Sequence, residues 1–327
     1  PASGPAHELS FPLDVSKYPL GITAPPSALG LSWVDAGQAF AVGPNAIAVR
    51  GFGNPNQAAK RLKGDDSVAG KLTFNSNNPV DQQLANIFFF CNYMHDFFFL
   101  LGFDVAAGNF EGDDGVIARS HPGAVTGTAN MLTHPDHQRP VMNMGLVTGV
   151  DRHTAFDADV VFHEYVHGVS NRLVGGPMNT LALEAEQSGS MGEGWSDYFA
   201  LTIQNFFTPG QERTTTGDWV VNRPGVGIRS APYDDKYHSD FGDMATVFEL
   251  QEVHNAGEIW CACLMQLTSR IIAALGDRAR GYRECWQIVV DSFKVCPANP
   301  SFIDARDAIL TALQGRNTAG KLTATEY

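Results

Sequence analysis

A chain of 327 residues with 22 Lys plus Arg, 35 Asp plus Glu and ten His carries a formal charge of −13; at roughly 150 residues per domain it can build about two domains with real cores. Its 44% hydrophobic, 10% aromatic and 17% charged residues, with 33 Gly and 18 Pro, are ordinary globular values that exclude disorder, collagen-like repeats and coiled coil. An acidic balance with no local Lys/Arg cluster argues against a nucleic-acid partner.

The chain starts Pro1-Ala2-Ser3-Gly4-Pro5, with no initiator Met, no basic n-region and no apolar h-region. This is the expected start of a processed chain whose signal or pro-segment has been removed. Residues 1–71 are rich in Pro, Gly, Ala and Ser with short apolar runs such as Ala46-Ile47-Ala48-Val49, and read as strands and turns. Asp81 then opens a strongly apolar helix to about Leu101, ended by Gly102. Its greasiest stretch, 87–103, is interrupted by Asn92, His95 and Asp96, so it reads as a buried helix, not a membrane span. The phenylalanines at 88–90 and 97–99 are then core, and His95 and Asp96 need hydrogen-bond partners inside it.

Residues 106–136, with Gly108, Gly112, Gly115 and Gly123, read as a loop-rich segment. Asp113 and Asp114 offer clustered carboxylates for calcium, though without EF-hand spacing. His134, His137 and His153 have no common metal spacing and read as surface-loop residues. After Pro140, the alternation through Val147 predicts a strand, and a leading proline suits a sheet edge, with free backbone groups along Met142, Asn143 and Met144. Helical periodicity follows at 157–174, 188–206, 256–275, 279–294 and 302–314. Strands first and helices second predict an α+β fold in two lobes: 1–175, β-rich and ending in the first of these helices, and 176–327, mainly helical. Five cysteines form no CxxC or zinc-ribbon pattern. By sequence position Cys285 and Cys296 are best placed to bridge, with Cys91 a buried free thiol.

Within the 157–174 helix stands His163-Glu164-Tyr165-Val166-His167, an HExxH pattern that random order would produce about 0.01 times per chain. At 3.6 residues per turn, i and i+4 share a face, so both imidazoles can reach one cation with Glu164 beside it. Catalytic zinc takes three protein ligands and keeps a position for water. Glu193, on the next predicted helix, is the candidate third ligand. Three glycines in that helix, Gly189, Gly192 and Gly194, each cost about 1 kcal/mol relative to Ala, and are expected to let it press against the HExxH helix. Asp197, four residues beyond Glu193, is placed to accept the far N–H of a liganding imidazole. Trp195 reads as packing between helices.

The HEYVHGVSNRLVGG run followed by SGSMGEGWSDYFA closely resembles the fungalysin metallopeptidases, a branch of the thermolysin-like gluzincins. Upstream, the MHD, LGF and AGNF runs at 94–96, 101–103 and 107–110 match that family's signatures, and Glu252-Val253-His254 with Gly257-Glu258-Ile259-Trp260 resembles the segment carrying its second active-site histidine. The resemblance implies a thermolysin-like two-lobed fold and a zinc endopeptidase secreted as a zymogen. His163, His167 and Glu193 would be the ligands of one catalytic Zn(2+) and Glu164 the general base. His254 would stabilise the oxyanion, held charged by Glu249 or Glu252. Arg229 corresponds to an arginine that clamps a substrate carbonyl, and substrate would add as a strand along Met142–Met144. Thermolysin's oxyanion-binding tyrosine has no counterpart in 180–192, where there is no Tyr; Tyr233 and Tyr237 are the candidate substitutes.

These readings make the expected partners protein or peptide substrates and the chain's own propeptide before maturation, with no membrane and a monomeric, extracellular protein. Two competing functions are weighed. An aminopeptidase would need an acidic anchor for the substrate amine, and no GxMEN-like motif is present. A zinc-stabilised binding protein needs ligands but not a base, and Glu164 is retained.

Overall fold

The computed structural model describes residues 7–10, 15–30, 32–35, 40–63, 71–74, 78–244 and 252–323. Strands occupy the N-terminal part and helices the C-terminal part, the α+β arrangement of a thermolysin-like fold. β1 (His7–Ser10) pairs antiparallel with β3 (Lys71–Phe74). The main sheet joins β2 (Ala46–Arg50), β4 (Val116–Ser120), β6 (Val141–Met144) and β5 (Ala129–Leu132) in the order β2-β4-β6-β5. β2, β4 and β6 run parallel and β5 antiparallel. A short ladder, β7 (Leu146–Val147) with β8 (Arg152–His153), leads into the first of the later helices.

Two sequence expectations fail in this sheet. The 106–136 stretch holds two strands, β4 and β5. Gly115, which looked like a loop residue, permits close packing: a Cβ there would lie 2.1 Å from the Pro44 carbonyl oxygen. The 141–144 strand exists, but β4 and β6 pair on one side and β6 and β5 on the other, so Met142, Asn143 and Met144 have no free edge. Among the described residues the free edge next to the helices belongs to β5.

Helix α1 (Pro79–Leu100) starts with Asn78 accepting from Val80 N–H and proline at its first turn. Its phenylalanines build the core as expected. Phe98 meets Phe199 at 5.0 Å and Phe97 meets Trp286 at 5.3 Å between ring centroids. His95 and Asp96 find the partners they need: Asp96 accepts from Tyr18 Oη at 2.7 Å and Trp33 Nε1 at 2.9 Å, and His95 lies 2.9 Å from Asp96 and 3.1 Å from Asn109 Nδ2.

Among the described residues five further helices follow: α2 (Ala158–Leu173), α3 (Glu186–Phe206), α4 (Val253–Leu275), α5 (Arg278–Val295) and α6 (Phe302–Thr318). By length and composition α4 could cross a membrane, yet it packs between α3 and α5. The α3 glycines do not serve mainly the α2 contact. A Cβ on Gly194 would sit 2.5 Å from Gly257 O, and one on Gly257 would sit 2.6 Å from Ser190 O, so this pair of glycines brings α3 and α4 backbone to backbone. Trp195 packs between helices, its ring 4.8 Å from Phe293 and 6.0 Å from Trp260. One hydrophobic cluster runs from Tyr18 through α1, α2 and α3 to Leu322.

All five cysteines are free. Cys285 lies within α5 and Cys296 caps its end, three helical turns or about 16 Å apart at 1.5 Å rise per residue, too far for a bridge. Cys91 is buried, as expected.

Candidate metal centre

Asp157 caps α2 by accepting from Asp159 N–H, and two turns later the helix presents His163 and His167 on one face. Their Nε2 atoms lie 3.0 Å apart. Glu193 of α3 reaches them with Oε2 3.1 Å from His163 Nε2 and Oε1 3.4 Å from His167 Nε2. One ligand atom from each of the three residues lies within 4.8 Å of the others. Two imidazole nitrogens and a carboxylate converging on one point, with Glu193 Oε2 buried and lacking a hydrogen-bond partner among the described residues, fit a cation. Two histidines and one carboxylate form a donor set suited to zinc.

Behind this cluster, Asp197 is saturated. It accepts from His163 Nδ1 at 2.7 Å, Arg229 Nε at 2.7 Å, Arg229 Nη2 at 3.0 Å and Tyr233 Oη at 2.6 Å. The His163 contact orients Nε2 toward Glu193. Burial alone would raise the Asp197 carboxyl, but the Arg229 and His163 charges hold it below its ordinary range. Burial would likewise lower His163, yet Asp197 and Glu193 outweigh it and push the ring up to about 10. Glu193 is held low by the two imidazoles against the opposing effect of burial.

Glu164 faces the other way. It lines a cleft of ≈ 450 Å³, accepts no hydrogen bond among the described residues, and is raised by burial against the opposing imidazoles. His254, near the start of α4, lies at the rim with its side chain half exposed. Its Nδ1 is 2.6 Å from Glu252 Oε1 and its Nε2 3.4 Å from Glu193 Oε2. Of the two candidates to hold its charge, Glu252 is therefore in contact, whereas Glu249 lies outside the described residues. Glu252 also caps α4 by accepting from His254 N–H.

Arg229 and His254 both line the cleft, as do Thr126–Met131, Val160, Asn171, Thr216, Val220, Val221 and Ile228. Met142 and Met144 are buried beneath the sheet; the strand beside the metal cluster is β5, with Asn130 facing the cleft. Sequence reading missed Asn130 because the turn residues around it, Thr126-Gly127-Thr128, masked a short strand. It missed Val220, Val221 and Ile228 because their segment has no periodicity.

No Tyr lines the cleft among the described residues. Tyr233 is buried on Asp197, and the Tyr237 ring lies tilted beside it, 6.0 Å between centroids. Asp114 pairs with the fully buried Arg172 at 2.9 Å, so an arginine neutralises it. Arg172 also donates to the carbonyl oxygens of Gly108, His134, Pro135 and Gln138. His153, expected in a surface loop, is buried: its Nε2 is bonded to His121 O and its Nδ1 accepts from Ala155 N–H.

The chain is 35% identical over 311 residues to an extracellular metalloproteinase of Neosartorya fischeri, covering 84% of this chain and 48% of that one. It is 32% identical over 350 residues to one of Aspergillus flavus, covering 95% and 52%. It is 36% identical over 259 residues to extracellular metalloproteinase 9 of Coccidioides posadasii, covering 71% and 40%. The chain thus spans about half the length of the curated relatives it matches. With residues 20–324 also matched by a family-wide sequence model, the chain belongs to the fungalysin metallopeptidase (M36) family.

Proposed function

We propose that this chain is the mature part of a secreted zinc endopeptidase, made as a zymogen, inhibited by its own propeptide before maturation and active as a monomer. The observation that carries the reading is Glu164, a buried carboxylate without a partner among the described residues, set in a cleft beside His163, His167 and Glu193. The extracellular naming of the relatives supports secretion. The division at 175/176 is retained as a functional one, with the cleft between β5 on one side and α3, α4 and the Arg229 segment on the other.

His163, His167 and Glu193 would hold zinc, which when bound would supply Lewis acidity for the scissile carbonyl and lower the pKa of water toward about 7. Glu164 takes the proton of the attacking water and delivers it to the leaving nitrogen, a task suited to a carboxylate whose basicity burial has raised. His254, held by Glu252, donates from Nε2 to the oxygen on which negative charge develops. Arg229, fixed through Asp197, presents the rest of its guanidinium to a substrate carbonyl. An extended substrate lies along β5, whose unpaired edge offers sequence-independent hydrogen bonds, and this replaces the Met142–Met144 strand in that role.

Casein cleavage before and after treatment with a strong zinc chelator tests the reading. Activity should vanish on chelation and return with zinc. Cleavage that survives complete zinc removal rejects the metallopeptidase.

A further inference from the structure

Asn143, inside the sheet, stands directly opposite Asn130 in the β5–β6 register. Its Nδ2 donates to Asn130 Oδ1 at 2.8 Å, and Asn130 Nδ2 donates in turn to the Thr126 carbonyl oxygen at 2.9 Å. On the other side His121, just past the end of β4, places Nε2 2.8 Å from Asn143 Oδ1. An amide oxygen only accepts, so this Nε2 is the donor. The ring's other nitrogen, Nδ1, is buried with no hydrogen-bond partner among the described residues. His121 is itself buried, with Phe52 at 4.2 Å between ring centroids, and its main-chain N–H bonds Met144 O at 2.9 Å. Three side chains thus form one run of hydrogen bonds across β4, β6 and β5, every donor pointing toward the cleft.

We propose that Asn143 and His121 are positioning residues that fix the polarity of the Asn130 carboxamide where an extended peptide substrate adds along β5, an inference that rests on the endopeptidase reading above. A flipped Asn130 would set its NH₂ against the NH₂ of Asn143 and its oxygen against the Thr126 oxygen, two repulsive contacts. In the orientation held, Asn130 keeps one N–H hydrogen and one lone pair of Oδ1 unspent. Those two groups complement the C=O and N–H of a peptide backbone. Asn143 touches no substrate; it acts through Asn130, and His121 acts through Asn143.

The test uses zinc-loaded protein and an internally quenched octapeptide. Asn143→Asp is nearly isosteric but offers only acceptors, so it keeps the His121 bond and sets an oxygen against Asn130 Oδ1, repelling the orientation that the Thr126 carbonyl oxygen still favours. KM should rise about five- to tenfold, the equivalent of about one hydrogen bond, with kcat within about twofold and zinc content and thermal midpoint unchanged. Asn143→Ala, which removes one of the two contacts holding Asn130 without adding a charge, should raise KM by about two- to fivefold. In an Asn130→Ala background neither substitution should raise KM further, because residues acting through one group do not add. Additive effects, or a fall in kcat that tracks a lower thermal midpoint, overturn the proposal. If the unaltered protein cleaves no peptide, the endopeptidase reading fails by itself. The ladder is then judged from the side-chain amide resonances of Asn130, which Asn143→Asp must shift; unmoved resonances overturn it.

Discussion

The rear and the front of the metal cluster treat a buried carboxylate in opposite ways. Asp197, behind His163, receives four hydrogen bonds from three residues and is held below its ordinary range by Arg229 and His163 against the pull of burial. Glu164, next to His163 in the chain and also buried, accepts none among the described residues and is raised by burial. Each carboxylate loses hydration in the fold, but only Asp197 is given donors in exchange. A saturated carboxylate is a fixed countercharge that orients an imidazole; an unsaturated one beside a cleft can take and release a proton. The rear therefore should govern metal affinity and the front turnover.

The largest expected effect is at the front. Glu164→Gln should keep zinc and lose at least about three orders of magnitude in kcat/KM, since the amide cannot take the proton. Metal analysis alongside casein cleavage reads both, and a variant that cleaves normally breaks the comparison. His254→Ala should lower kcat by about 10²–10³, the usual cost of one oxyanion donor, with zinc retained. Zinc lost from that variant would move His254 to the structural side.

At the rear, Asp197→Ala should weaken zinc binding by about 10–100-fold, read by chelator competition. It also leaves the Arg229 guanidinium buried without its main partner, so the metal-free protein should lose about 3–5 kcal/mol of stability. Unchanged zinc affinity would mean that His163 needs no orienting group.

How much of this division could be read beforehand depends on the distance over which each part is encoded. His163, Glu164 and His167 share one helix, and Glu193 with Asp197 shares another, so a period of 3.6 places them on faces without knowledge of the fold. The six helices among the described residues were legible from the same kind of local pattern. The cleft wall was not. The alternation at 141–144 identifies a strand, but whether it stands at an edge or inside the sheet is decided by β4 and β5, two short strands in glycine-rich sequence. Gly194 shows the same limit: a glycine in a helix announces a close approach, yet that the approach is to Gly257 of α4, and not to α2, is a property of the assembled helices. His153 and Asp114 are legible as polar but not as buried, because the groups that satisfy them, His121 O and Arg172, are 32 and 58 residues away.

Tyr233→Phe gives the smallest and the sharpest test. Sequence reading offered Tyr233 as a front residue, a replacement for the oxyanion-binding tyrosine; the fold buries it at the rear, donating to Asp197 Oδ2 at 2.6 Å. Phenylalanine keeps the ring and removes one of four donors from a carboxylate that Arg229 and His163 still hold. The expected loss is about 1.5–3 kcal/mol in stability, the range for a hydrogen bond to a charged group, with zinc affinity lowered about two- to fivefold, less than a whole missing outer partner costs. kcat of the zinc-loaded protein should stay within about twofold, since no reacting atom meets this hydroxyl. A hundredfold fall in kcat with zinc retained would mean that the hydroxyl reaches the reacting atoms, and the separation of rear from front would collapse at the residue where the two readings differ most.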